Sequence, residues 1–359
     1  MRVTIAGGGN IGTQFAVHCA EKGHEVTIYT SKPEVFASCL EIVNETGEII
    51  QRGRIVLATN DAEKAFRFAD LIFVTMPANR MRDISKLIYD HTGSETIIGV
   101  VPGNGGSECF FKQCIERGNV FFGIERVPAI ARLVKKGKTV HSTGYRNELH
   151  VASLPKMYAE KCASIVEGIF DIKTTTVPCF LNLTMTPSNP ILHTARLRNL
   201  FGDWHEGKTY DHVPLFYEEW DDASSQLLIE CDEEVQSICH ALSGFNLKFV
   251  KSLRDHYESA TVEDMTKKLS SIAAFKGLTA PTIQVGNGLI PDLHSRYFTA
   301  DFSFGLTIIK QVADFAGVLT PNIDETMAWY KSIAVETDEF RFDECGITDR
   351  SSFERFYLL

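Results

Sequence analysis

Six residues near the start of the chain, GGGNIG (7–12), constrain its fold more than any others. They follow a short apolar stretch, RVTIA (2–6), and precede TQFAVHCAEKG, which has helical spacing and ends at Gly23. EVTIY (25–29) then has the composition of a second strand. Strand, glycine turn, helix and strand within about 30 residues make the βαβ unit that binds dinucleotides. Each glycine has a mechanical reason. Gly7 permits the tight turn, Gly9 leaves the backbone open to a pyrophosphate, and Gly12 lets the helix pack closely on the sheet. The amide groups at the helix start, Asn10 and Ile11 among them, would then hold the phosphate charge.

The end of the second strand bears on which dinucleotide. An NAD-specific site usually carries Asp or Glu there, to hold the ribose 2′-hydroxyl. Here the chain reads Tyr29-Thr30-Ser31-Lys32. Two hydroxyls and a cation suit a 2′-phosphate, which wants donors and positive charge. NADP is therefore the expected cofactor, with NAD the alternative.

Alternation continues through the first half. EIIQRGRIVLA is expected to form a small hairpin around Arg52-Gly53, and DAEKAFRFA a helix capped by Asp61. LIFVT (71–75) is a buried strand ending at Met76-Pro77-Ala78, and TIIGVV (96–101) another, ending at PGNGG. Strand ends of this kind line the crevice where open α/β sheets bind ligands, which makes Pro77 and Ala78 cofactor candidates. Gly105 and Gly106 precede an expected helix from about Glu108, and Asn104 sits where it could reach nicotinamide or substrate. VFFGIE, TVHSTG and ELHVAS extend the sheet to about residue 178.

From Asn189 the periodicity becomes helical, in DEEVQSICHALSGF, EDMTKKLSSIAAF and FSFGLTIIKQVADFAG. Thr320 and Pro321 are expected to cap a further helix through MAWYKSI. The expected fold is an α/β Rossmann-type dinucleotide-binding domain over 1–180, followed by an all-α domain over 181–359 that carries substrate and catalytic residues. Substrate would lie between them. PSNPILHTARLRN (187–199) opens the second domain. Asn189 is the expected N-cap and Pro190 the first helical residue. His193 then shares a face with Leu197 and Leu200. By spacing alone such a residue is more often a satisfied core histidine than a proton carrier, and Asp301 is as compatible with a helix cap as with a partner.

Composition excludes several classes. A net charge of −10 argues against a nucleic-acid partner, which needs a basic face. The longest apolar runs are too short to span a bilayer, and no secretory signal appears, so a cytoplasmic protein without a membrane partner is expected. The nine cysteines are scattered, with no metal-ligand spacing, so reduced thiols and no metal site are expected. A homodimer is left open, since no coiled coil specifies it.

The chain resembles the octopine/nopaline dehydrogenase family of opine dehydrogenases over nearly its whole length. The resemblance is carried by GGGNIG, VPAIAR (127–132), NPILH (189–193) and RYFTADFSFGL (296–306), the last two being the more specific. It implies reductive condensation of an amino acid with a 2-oxo acid through an imine, with hydride from the nicotinamide cofactor. It also implies that His193 and Asp301 form the acid–base dyad and that Arg296 binds a substrate carboxylate. Asn189 would cap its helix, touch substrate, or both. The chain departs from the family in lacking an acid at the end of the second strand and in carrying Ala300 before Asp301.

Two alternatives stand beside this. One is an NADP-dependent reductase of a single carbonyl substrate, similar to ketopantoate reductase. Such enzymes use a lysine on the second domain's helices, and NPILHTARLRN has none. The other is a non-catalytic redox sensor, which would bind NADP without turnover. Tyr297 and Trp204 are weaker candidates for a side-chain pocket.

Overall fold

Short Val/Ile-rich runs bounded by turn residues fold as strands when both of their faces are covered. The computed structural model, which describes residues 1–334 and 338–359, shows this pattern throughout its first half. Twelve of its strands are β1 (Arg2–Ala6), β2 (Glu25–Tyr29), β3 (Cys39–Val43), β4 (Ile49–Arg54), β5 (Leu57–Thr59), β6 (Leu71–Val74), β7 (Ile97–Val100), β8 (Phe121–Ile124), β9 (Ile130–Lys135), β10 (Thr139–Thr143), β11 (Glu148–Leu154) and β12 (Lys173–Thr176). Eight of them form one sheet in the order β12-β11-β8-β7-β6-β1-β2-β5. Its pairings are parallel except β11 with β8. β6, β7 and β8 are buried along their whole length. Phe15, on the helix Asn10–Glu21, meets Phe73 at 5.1 Å and Phe170 at 4.6 Å, both edge-on.

The expected hairpin around Arg52-Gly53 does not form. β4 runs unbroken through both residues and pairs antiparallel with β3. The turn lies earlier, where the Asn44 side-chain oxygen accepts from the amides of Thr46 at 3.0 Å and Glu48 at 2.9 Å. Gly53 serves packing instead. A β-carbon there would lie 2.8 Å from the carbonyl oxygen of Val17, so the strand can cross the Asn10–Glu21 helix only as glycine. TVHSTG also departs from expectation. As β10 it joins a second, four-stranded sheet, β4-β3-β10-β9, rather than the main one.

The chain divides into two compact units, Met1–Thr184 with Arg355–Leu359, and Met185–Glu354. The C-terminal residues therefore belong to the first unit, not to the second as 181–359 implied. Their anchor is polar and buried. The Tyr357 hydroxyl donates to the Glu108 carboxyl at 2.5 Å, as does that of Thr184 at 2.5 Å, and Lys156 donates its amide to the Leu359 carbonyl. No amphipathic period announces such a contact. Burial pushes the Glu108 carboxyl up.

The second unit is built from helices Ser188–Phe201, Asp222–Ala241, Val262–Ser270, Thr307–Ala316 and Pro321–Ile333, with shorter turns between them. It is not wholly helical, since Thr282–Val285 and Gly288–Pro291 pair as an antiparallel hairpin. Thr320 does occupy the N-cap position before Pro321, but its side chain makes no cap bond. The buried Glu234 carboxylate does that work from the neighbouring helix, accepting from the amides of Asn322 at 2.7 Å and Ile323 at 3.0 Å. Among the described residues, no helix is long and apolar enough to cross a membrane.

Candidate active site

The glycine turn has the geometry its spacing implies. Gly7 donates its amide to the Tyr29 carbonyl at 3.0 Å and has φ +122°. A β-carbon at Gly12 would sit 1.8 Å from the Gly7 carbonyl oxygen, so helix and turn touch backbone to backbone. At Gly9 a β-carbon would meet nothing within 4 Å. That open space lies before the start of the Asn10–Glu21 helix, whose first amide bonded within the chain is Thr13, to the Gly9 carbonyl. The amides of Asn10, Ile11 and Gly12 precede it and have no helical acceptor. A dinucleotide pyrophosphate fits these donors and this gap. The Asn10 side chain is already used, its oxygen accepting from the Leu133 amide at 2.9 Å and tying β9 to the helix. Ile11 packs against the core.

Thr30, the residue after β2, is buried, while Ser31 and Lys32 are exposed. The Thr30 hydroxyl accepts from the Lys32 amide at 3.4 Å, and among the described residues the Lys32 side chain forms no ion pair. Pro77 and Ala78 follow β6 and open a single turn of 3-10 helix, Ala78–Arg80. Asn104 is half-buried in the loop after β7. The helix expected from Glu108 is one turn, Ser107–Phe110.

In the second unit, His193 and Asp301 are brought together by two contacts of their own elements. The helix carrying His193 begins at Ser188, with Pro187 at the N-cap position and no side-chain cap. Asn189 is thus not the expected cap but an exposed residue of the first turn. Pro190 is tolerated there because the first amides of a helix lack partners anyway. Its ring packs on Gly305, where a β-carbon would lie 2.9 Å from Pro190 Cγ. Gly305 belongs to a π-helical turn, Phe302–Leu306, that follows Asp301. NPILH and FSFGL therefore meet at a glycine, and the meeting sets the separation of His193 and Asp301.

Asp301 stands at the N-cap position of that turn, yet its side chain caps nothing. Its carboxylate lies 2.7 Å from His193 Nδ1 instead. The two side chains are 6% and 15% exposed, so the contact is shielded from solvent. A carboxylate can only accept, so Nδ1 carries the proton and Nε2 of the neutral ring is an acceptor. Nε2 lies 2.8 Å from the hydroxyl of Tyr217, a residue that no sequence motif marked. Tyr297 meets the His193 ring edge-on at 4.6 Å. Arg296, five residues before Asp301, is exposed and pairs with no carboxylate among the described residues. Burial, followed by neighbouring charges that include Asp301, pushes the Tyr217 phenol well up, and the nearby Arg296 guanidinium opposes that shift. Trp204 is engaged elsewhere, its indole donating to the Lys208 carbonyl at 3.0 Å.

Comparison with known proteins bears on the family and the fold. Residues 176–334 match the family model for the NAD/NADP octopine/nopaline dehydrogenase α-helical domain. Residues 2–107 match that for the N-terminus of NAD-dependent glycerol-3-phosphate dehydrogenase. Tauropine dehydrogenase from Arabella iricolor is 26% identical, over 92% of this chain and 91% of its own. Octopine dehydrogenase from Pecten maximus is likewise 26% identical, over 92% of this chain and 89% of its own. The fold is shared with octopine dehydrogenase solved with NADH and L-arginine, at a TM-score of 0.85 and 22% identity, covering 98% of this chain and 97% of that one. The helical-domain match, these full-length similarities and the shared fold together support the opine dehydrogenase family.

Proposed function

We propose that this protein is an NADPH-dependent opine dehydrogenase that condenses an amino acid with a 2-oxo acid and reduces the resulting imine. The observation that carries this reading is the 2.7 Å contact between His193 Nδ1 and Asp301, two residues far apart in sequence and shielded together. An acid–base pair is what such a condensation needs, because a carbonyl oxygen must be protonated and then lost as water. Asp301 holds the ring in one tautomer and His193 carries the proton. Arg296, unpaired and exposed, binds a substrate carboxylate through two parallel N–H bonds, a geometry lysine cannot supply. Asn189 and Asn104 complete the substrate set.

The turn Gly7–Gly12 holds the pyrophosphate, with Pro77 and Ala78 beside it. Thr30, Ser31 and Lys32 hold a 2′-phosphate, which supports NADPH over NADH. Relatives solved with NADH are octopine dehydrogenase, and one solved with NADP+ is yersinopine dehydrogenase. When bound, the nicotinamide supplies the hydride.

The test is oxidation of NADPH and of NADH with pyruvate and other 2-oxo acids, each with and without a mixture of amino acids, arginine included. Oxidation that requires the amine, and that is lost in His193→Ala while NADPH still binds, is the expected result. Oxidation by an oxo acid alone would make the protein a single-carbonyl reductase. Tight NADPH binding without turnover would favour a sensor.

A further inference from the structure

The atom that the dyad would turn toward substrate is already engaged. With Nδ1–H directed at Asp301, His193 offers its Nε2 lone pair, and the Tyr217 hydroxyl donates to it across 2.8 Å. Tyr217 is not placed to swing aside. Its ring stacks on Phe275 at 4.2 Å and 24°, and lies nearly parallel to Trp220 at 6.1 Å and 18°. The backbone on either side is clamped by Arg196, three residues after His193 on the same helix. Its guanidinium donates to the carbonyls of Leu215 at 3.3 Å, Phe216 at 3.0 Å and Glu219 at 2.6 Å. Arg196 is fully buried. Burying a guanidinium is costly unless its donors are satisfied, and here Nε and Nη2 are satisfied by the segment that carries Tyr217, while Nη1 donates to Ser224 at 3.0 Å and lies 3.3 Å from the Asp221 carboxylate. One helix therefore fixes both the histidine and the phenol bonded to it.

We propose that Tyr217, rather than the His193 ring, is the group that meets the substrate oxygen, so that Asp301, His193 and Tyr217 form a proton relay. The proposal rests on the reading of His193 as the acid–base residue. When His193 holds a second proton, Nε2–H donates to the Tyr217 oxygen and the phenolic hydrogen is released toward the substrate. As the amine nitrogen bonds to the carbonyl carbon, the π pair moves to oxygen, which takes the Tyr217 proton while Tyr217 takes the Nε2 proton. The nitrogen, now positive, returns one proton through Tyr217 to Nε2. That proton then leaves with the hydroxyl as water, which forms the iminium. Hydride addition gives the secondary amine, and one proton from solvent restores His193. The protonation state of His193 thus sets which way the Tyr217 hydroxyl points.

Tyr217→Phe, His193→Ala and the double variant are compared in the full chain, by NADPH oxidation with pyruvate and the amino-acid mixture across pH. Loss of an acid–base contribution is worth roughly 100-fold or more in kcat. Tyr217→Phe is expected to lose about that much, with the KM for pyruvate within a few-fold and NADPH binding intact. Because the two residues act on one proton, the double variant should be no slower than His193→Ala. If Tyr217→Phe keeps its kcat within about threefold while His193→Ala is inactive, the relay is overturned and the dyad stands. If His193→Ala turns over normally, both readings fall. Should Tyr217→Phe not fold, fluorinated tyrosine at 217 keeps the ring stack and makes the phenol more acidic. A pH–rate profile that moves with the degree of fluorination supports the relay, and one that stays in place overturns it.

Discussion

A β-carbon at Gly12 would lie 1.8 Å from the Gly7 carbonyl oxygen, whereas one at Gly9 would meet nothing within 4 Å. Two glycines of one motif thus do unrelated work, and alanine should separate them. Gly12→Ala must push the helix off the turn, and overpacking of this kind costs about 1–3 kcal/mol or more. Gly9→Ala is expected to fold with an unchanged melting temperature, yet to lose dinucleotide affinity, because its methyl group fills the space left for a pyrophosphate. Thermal melts beside a fluorescence titration with NADPH check both. Equal destabilisation by the two variants would refute the division.

Lys32 gives the proposed preference for NADPH a test of its own. It is exposed, forms no ion pair among the described residues, and follows the buried Thr30 hydroxyl. A single charge-assisted contact to a 2′-phosphate is worth roughly a factor of ten in affinity. Lys32→Ala is expected to weaken NADPH binding by about that factor and to leave NADH binding within about twofold. Isothermal titration with both cofactors reads the difference. Equal losses for the two would place Lys32 away from the ribose.

How far the chain is legible depends on the range over which each signal acts. The glycine turn, the buried strands and the Asp61 cap, whose side chain accepts from the Lys64 amide at 3.2 Å, are local, and local spacing shows them. Gly53 misleads, because glycine marks a turn as readily as a close helix contact, and only the position of Val17 decides between them. His193 and Asp301 could be singled out only through resemblance to a family, since nothing near either residue records that Pro190 seats on Gly305. Tyr217 was invisible for the same reason. Its role comes from a histidine 24 positions away and from Arg196, which reads in sequence as an ordinary helical arginine.

Arg196 should behave as a structural keystone of that segment. Arg196→Met keeps most of the side-chain volume but strands the carbonyls of Leu215, Phe216 and Glu219. An unsatisfied buried polar group costs about 1–3 kcal/mol, so a loss of roughly 3 kcal/mol or more is expected. Urea unfolding checks it through the midpoint. A variant as stable as the wild type would show that water or another donor replaces the guanidinium without cost.

The two units should respond to acid in opposite senses. His18, in the first unit, is lowered from 6.5 to about 4, mainly by burial. Its folded form resists the proton, so stability present above pH 6.5 is lost as pH falls from there toward 4, by at most about 3 kcal/mol. Asp232, in the second unit, is raised from 3.8 to about 6, again mainly by burial, although its carboxylate accepts from the Leu253 amide at 2.7 Å. Here the burial penalty of the charged form is relieved as pH falls through 6, and the helical unit gains up to about 3 kcal/mol by pH 4. The three tryptophans, Trp204, Trp220 and Trp329, all lie in the second unit, so their fluorescence reports that unit alone. Ellipticity reports both. Between pH 6.5 and 4, urea midpoints from ellipticity are expected to fall before those from fluorescence. His18→Gln should narrow the gap from one side, and Asp232→Asn should be the more stable variant at pH 7, with an advantage that shrinks below pH 6. Coincident midpoints at every pH, unchanged by either substitution, would mean that neither buried group sets the acid response.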